Sequence, residues 1–258
     1  MDSQNRIIDL FDGIADIREK RIRAIGDPKT HFSEDALRIL RALRFQATLN
    51  FSIEEKTQEQ IRECARLLDF ISEERKKDEL MKILSCESAF TVINGNLEVF
   101  QTFMSFRKIR RKKNTFSSPL YSLAYLLRNE DRSDLRSHKY SNQEIHLIDE
   151  LIRSTKIDIR DDTQFIRCLS SVNQKEILRF LNQYHRKNFT KRYESLLPYI
   201  CTLNELQING ETIRKFGYQK KQIGSVKRLL LEQVQQQKVK NKSEDLTAFL
   251  KENPSLFC

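Results

Sequence analysis

Apolar residues recur at three- and four-residue spacing along most of the chain. Clear sets are Leu37, Leu40, Leu43 and Ala47; Ile61, Ala65 and Leu68; Leu80, Ile83 and Leu84; Ile145, Ile148 and Ile152; and Val226, Leu229, Leu230 and Val234. That period gathers each set on one side of an α-helix, so each stripe predicts a helix with one core face. Phe100, Phe103 and Phe106 are assigned to the core on the same grounds, ahead of a base-stacking platform. Only 6 glycines and 4 prolines interrupt 258 residues, and the pattern predicts an all-α, mainly helical, elongated fold. One segment departs from it. Arg6-Ile7-Ile8-Asp9-Leu10-Phe11 reads as a strand centred on Ile7 to Leu10, and a lone strand has nothing to pair with.

The densest signal lies between Gly26 and Phe45, GDPKTHFSEDALRILRALRF. Gly-Asp-Pro is a turn, Ser33 an expected N-cap, and Glu34 and Asp35 fall in the expected first turn, where the helix dipole favours acids. At about 100° per residue, Ala36, Leu37, Leu40 and Leu43 share one side. Glu34, Asp35, Arg38 and Arg41 share the other, with Arg44 at the boundary. The plain reading is a surface helix laced with i,i+3 ion pairs. A sharper reading uses fixed polarity: an ionised Asp only accepts hydrogen bonds and an Arg only donates them. Cytosine and adenine present an amino donor beside a ring-nitrogen acceptor on the pairing edge, and uracil and guanine present the reverse. A coplanar Asp35 and Arg38 would accept the first pair and mismatch the second, which is costly once desolvated. Further arginines could grip a triphosphate.

Charge adds a second partner. Lys+Arg is 46 against 36 Asp+Glu, a net +10, and the excess is clustered. Arg107, Lys108, Arg110, Arg111, Lys112 and Lys113 form one run without an acid, and Gly210–Lys242 carries nine basic residues against Glu211 and Glu232. Such clusters attract polyanions by displacing their counterions, although a basic run can equally be a solvated loop. No apolar run nears the roughly 18 residues of a membrane span, and the first residues carry no secretory signature. A soluble, cytoplasmic protein is the expectation. Cys64, Cys86, Cys168, Cys201 and Cys258 are scattered, so neither a disulfide framework nor a zinc site is indicated. His31, His138, His146 and His185 form no metal or nucleophile motif and are read as structural or solvent-facing.

Glu34–Phe45, EDALRILRALRF, resembles the EDxxR nucleotide-template motif of class II tRNA nucleotidyltransferases, the CCA-adding enzyme and poly(A) polymerase family. Ile7–Pro28 is similar to the family's hinge segment, and Glu74-Arg75 with Glu79–Leu84 to its ERxxxEL-KIL helix. Leu206–Gly210, Phe216-Gly217, Ile223-Gly224 and Val239–Asn241 resemble its Gram-positive-type tail. Asp12 and Lys221 stand where the family commonly has glycine. The resemblance implies residues 1–30 as the end of a head domain and hinge, 31–90 as a neck, 91–203 as a helical body and 204–258 as a tRNA-binding tail. It implies Asp35 and Arg38 as base template, Arg41 and Arg44 as nucleotide or triphosphate contacts, and CTP, ATP and tRNA as substrates. Lys220, Lys221, Lys227 and Arg228 are the expected RNA contacts in the tail.

The family's catalytic head carries GGxVRD, a DxD strand that binds divalent metal, and RRDFTxNAL. The sequence contains no Gly-Gly pair and no Asp-x-Asp, so no catalytic and no metal-binding residue is assigned in this chain. The expected Mg²⁺ would belong to the absent head, and the lone strand would be the last strand of its sheet. Two-metal nucleotidyl transfer needs clustered carboxylates, so the chain alone is expected to be inactive. A split enzyme with a separate head chain, the product of a disrupted reading frame, and a non-catalytic helical RNA-binding protein all remain open.

Overall fold

The computed structural model describes residues 8–111, 113–130 and 135–253. The chain divides into two units, Met1–Asp149 and Glu150–Cys258.

The first unit begins with α1 (Gly13–Arg18). The described part of the expected strand, Ile8–Phe11, is irregular rather than extended in a sheet; Arg6 and Ile7 lie outside the described residues. Ile8–Phe11 pairs with no described strand, and Asp9 is engaged locally. The Asp9 carboxylate accepts the Gly13 and Ile14 amides, each at 2.8 Å, so it satisfies the N-terminal donors that α1 leaves unpaired. These bonds, that to Ile14 foremost, hold the Asp9 carboxyl below the usual carboxylate range. Asp12 adopts φ 59, a left-handed conformation that Asp tolerates better than most residues.

Strand pairing occurs further along instead. β1 (Arg21–Ile22) runs parallel to β2 (Ser52–Ile53), with the Ser52 amide donating to Lys20 O and the Glu54 amide to Ile22 O, both at 2.9 Å. Two residues per strand are too few for alternation to show. Asp16 ties this segment together by accepting Arg21 Nε at 2.8 Å and Arg23 Nε at 3.0 Å.

Between the strands lie α2 (Pro28–Glu34) and α3 (Leu37–Leu49), followed by α4 (Glu55–Glu63), a 3₁₀ turn at Ala65–Phe70, and α5 (Glu73–Leu84). α3 packs against α5 through its expected stripe: Leu40, Leu43 and Ile83 are fully buried, as are Ile61 and Leu68. Each such side chain contributes roughly 1.5–3 kcal/mol. α6 (Ala89–Gly95), α7 (Leu97–Phe100) and α8 (Pro119–Leu127) complete the core. Phe100, Phe103 and Phe106 are buried there, with ring centroids 6.1–6.4 Å apart about Phe100. The division between the units falls within α9 (Asn142–Ser154).

The second unit holds α10 (Asp162–Leu169), α11 (Gln174–His185), α12 (Thr190–Leu196), α13 (Gly210–Lys215), α14 (Ile223–Gln235) and α15 (Ser243–Glu252). Ile213, Val226, Leu230, Val234, Leu246 and Leu250 form its C-terminal core cluster. No helix among the described residues is long and apolar enough to cross a membrane. The four described cysteines are free thiols.

Candidate functional site

The segment Gly26–Phe45 holds two helices rather than one. Asp27 caps α2 by accepting the Thr30 amide at 3.0 Å and the Thr30 hydroxyl at 2.7 Å, and Pro28 at the first helical position sets φ for the start. The helix therefore begins before Ser33, which is not a cap. Its hydroxyl donates back to Lys29 O at 2.8 Å. Asp35 then leaves the helical region, with φ −149 and ψ 99. Its Oδ1 accepts the Leu37 amide at 3.1 Å, and this short local bond is what Asp offers in competition with a continuous helix. The single-helix projection that put Asp35 on one face with Arg38 and Arg41 is corrected accordingly: Asp35 sits at the junction of α2 and α3.

Asp35 and Arg38 have separate partners. Asp35 Oδ2 accepts Arg75 Nη2 at 3.1 Å. Arg38 Nη1 donates to Glu34 Oε2 at 2.7 Å and to His31 O at 3.1 Å, and lies 2.8 Å from His31 Nδ1. Arg38 and Arg41 line a cleft of about 370 Å³ together with Arg23, His31, Phe32 and Phe45. Arg41 is exposed and has no ion-pair partner among the described residues. A negatively charged ligand would meet three guanidiniums there on an apolar floor.

Arg44 is placed differently. Its Nε donates to Glu79 Oε2 at 2.7 Å, and the Glu79 side chain is 8% exposed. Glu79 also receives Lys82 at 3.0 Å, and the Arg44 guanidinium lies over the Phe45 ring. The structure thus gives Arg44 a bond between α3 and α5. His31, Arg23 and Arg75 join the site although the sequence pattern gives them no role. The available signals are the position of His31, seven residues before Arg38, and the place of Arg75 in the Glu74-Arg75 motif.

The basic run is partly engaged by the protein. Arg107 pairs with Glu130 at 2.9 Å and Lys113 with Glu87 at 2.7 Å, and Arg111 lies over the Phe116 and Tyr125 rings. Lys108 and Arg110 are exposed; Lys112 is outside the described residues. Lys220 and Lys221 stand in a 3₁₀ turn, Lys220–Gln222, just before α14, which carries Lys227 and Arg228. Lys220, Lys221 and Arg228 are exposed and Lys227 half-buried. Among the described residues, no three His, Cys, Asp or Glu side chains gather as a metal site. The described residues do not fit a two-metal centre.

Residues 50–94, from the end of α3 to α6, match a family model described as the probable RNA and SrmB-binding site of polymerase A. The chain is 31% identical to the CCA-adding enzyme of Enterococcus faecalis over 99% of its own length and 68% of that relative. Over 83 residues, 32% of this chain and 21% of the relative, it is 53% identical to the CCA-adding enzyme of Lactococcus lactis. Among solved structures, the Bacillus stearothermophilus CCA-adding enzyme in complex with CTP superposes with a TM-score of 0.76 at 22% identity, covering 99% of this chain and 71% of that one. The Thermotoga maritima CCA-adding enzyme complexed with tRNA superposes with a TM-score of 0.63 at 22% identity, covering 95% and 67%. A helical polynucleotide-handling fold with an arginine-lined cleft is the class these observations define. The chain belongs to the CCA-adding enzyme and poly(A) polymerase family.

Proposed function

We propose that this chain supplies base selection and tRNA binding for the addition of CCA to tRNA 3′ ends from CTP and ATP, in the cytoplasm. The observation that carries this is the cleft beside the α2–α3 junction. Asp35 contributes fixed acceptors and Arg38 fixed donors for the base edge, while Arg41 is free to meet phosphate. Arg44 serves this site through the α3–α5 packing. Residues 1–30 act as hinge, 31–90 as neck, 91–203 as body and 204–258 as tail, with Lys220, Lys221, Lys227 and Arg228 as backbone contacts to tRNA.

The chain's own sequence holds no Asp-x-Asp, so the carboxylates for Mg²⁺ come from polypeptide outside these 258 residues, and the chain alone is inactive. An apolar surface suits such a head: Leu10, Phe11, Ile17 and Ile25 are 56–78% exposed around the first helix. The test joins the chain to the head of a related enzyme. Asp35→Ala or Arg38→Ala should abolish preference for CTP and ATP over UTP and GTP while tRNA binding persists. Unchanged nucleotide choice would overturn the template assignment. Tight tRNA binding without incorporation in the joined protein would favour a non-catalytic RNA-binding role.

A further inference from the structure

His31 sits in the cleft wall, yet neither base reading nor phosphate binding needs it. Its ring nitrogen Nδ1 lies 2.8 Å from Arg38 Nη1. Arginine has no acceptor, so this contact is a hydrogen bond only when Nδ1 carries a lone pair and the ring proton sits on Nε2. The same Nη1 also reaches Glu34 Oε2 and the backbone carbonyl of His31. Three acceptors therefore lie around one nitrogen of Arg38 that has two hydrogens, so at least one hydrogen is shared between two of them, and Nε and Nη2 remain for a ligand. Because the rotation of a long side chain is restricted most where several bonds meet, Arg38 is aimed by this cluster rather than by Asp35.

We propose that His31 is a positioning residue for base selection, holding Arg38 through the Nδ1 lone pair, and that protonation of its ring releases Arg38. The inference rests on Arg38 being the template donor. Protonated His31 would set an N–H against Arg38 Nη1, and the Glu34 carboxylate, 3.6 Å from Nδ1, would then be drawn towards the imidazolium. The charged groups near the ring are Glu34 from α2 and Arg38 from α3, and Arg23 and Arg41 line the same cleft. Three of these four are cations, so a fourth positive charge at His31 disfavours the present arrangement.

The test uses the full chain labelled with ¹⁵N in histidine and arginine. The nitrogen spectrum should show His31 protonated at Nε2 and bare at Nδ1 at neutral pH, with the Arg38 side-chain signals moving together with His31 during an acid titration. A predominant Nδ1–H tautomer, or Arg38 signals indifferent to that titration, would overturn the pairing. In the chain joined to a related catalytic head, His31→Asn, which returns an acceptor near Nδ1, should keep the CTP-over-UTP preference. His31→Leu should lower it roughly five- to tenfold, with an unchanged melting curve. Equal loss in both variants would overturn the lone-pair argument. If Arg38→Ala itself leaves the preference intact, the template reading fails, and the nitrogen spectrum then judges the His31–Arg38 pairing separately.

Discussion

Arg75 on α5 donates from Nη2 to Asp35 Oδ2 across 3.1 Å, joining residues forty positions apart. Asp35 Oδ1 is occupied by the Leu37 amide, so the carboxylate is oriented from two directions before any ligand arrives. Arg75 and Asp35 are 52% and 29% exposed, and an exposed pair of this kind is worth about 0.2–1 kcal/mol of stability. Arg75→Gln should therefore leave the melting temperature nearly unchanged and still weaken base discrimination, though less than Asp35→Ala does. A large fall in melting temperature would show that Arg75 serves the fold instead.

Arg44 gives the opposite expectation. Arg44→Ala strands the Glu79 carboxylate in the α3–α5 interface with Lys82 as its remaining cation, and breaking such a buried pair costs about 3 kcal/mol. Denaturant unfolding should show that loss, and Glu79→Gln should recover part of it in the double variant. Arg41→Ala, by contrast, should leave stability unchanged and reduce nucleotide affinity.

These two arginines show what the sequence could and could not reveal. The leucine stripe of α3 was legible because a repeated apolar spacing survives any local irregularity. Arg44 projected to the boundary of the stripe, but nothing in spacing shows that Glu79 waits there, since that contact is made by folding. The break at Asp35 was hidden for a related reason. Ser33 and Asp35 both have capping chemistry, and the earlier pair Asp27-Pro28 won the start of α2. At Ile8–Leu10, part of the expected strand, Asp9 instead uses its carboxylate to cap α1.

Acid should loosen the beginning of the chain. Asp9 is held below the usual carboxylate range by the Ile14 and Gly13 amides, and Asp16 by hydrogen bonds from Arg21 and then Arg23. Both groups are more acidic in the folded chain than unfolded. Their stabilisation is therefore complete above the unfolded value and is lost as pH falls through the folded one. Amide exchange at Gly13 and Ile14, corrected for intrinsic rate, should accelerate below about pH 4. Exchange at Gly13 and Ile14 that is the same in Asp9→Asn as in the parent chain would remove the Asp9 carboxylate from the account.

In the tail, tRNA affinity should fall steeply with salt. Neutralising Lys220, Lys221, Lys227 and Arg228 together should flatten the log–log salt slope by about 0.7–0.9 for each phosphate that no longer meets a cation. An unaltered slope would leave those charges to solubility.

The most direct measurement is incorporation of labelled CTP and ATP into tRNA lacking its terminal CCA, with Mg²⁺, using chain prepared from a host whose own enzyme is removed. The chain alone should extend nothing, and adding a head polypeptide that bears Asp-x-Asp should give CCA addition that Asp35→Ala makes indiscriminate. Incorporation by the chain alone would contradict the account, because it would place the metal-binding carboxylates within these 258 residues.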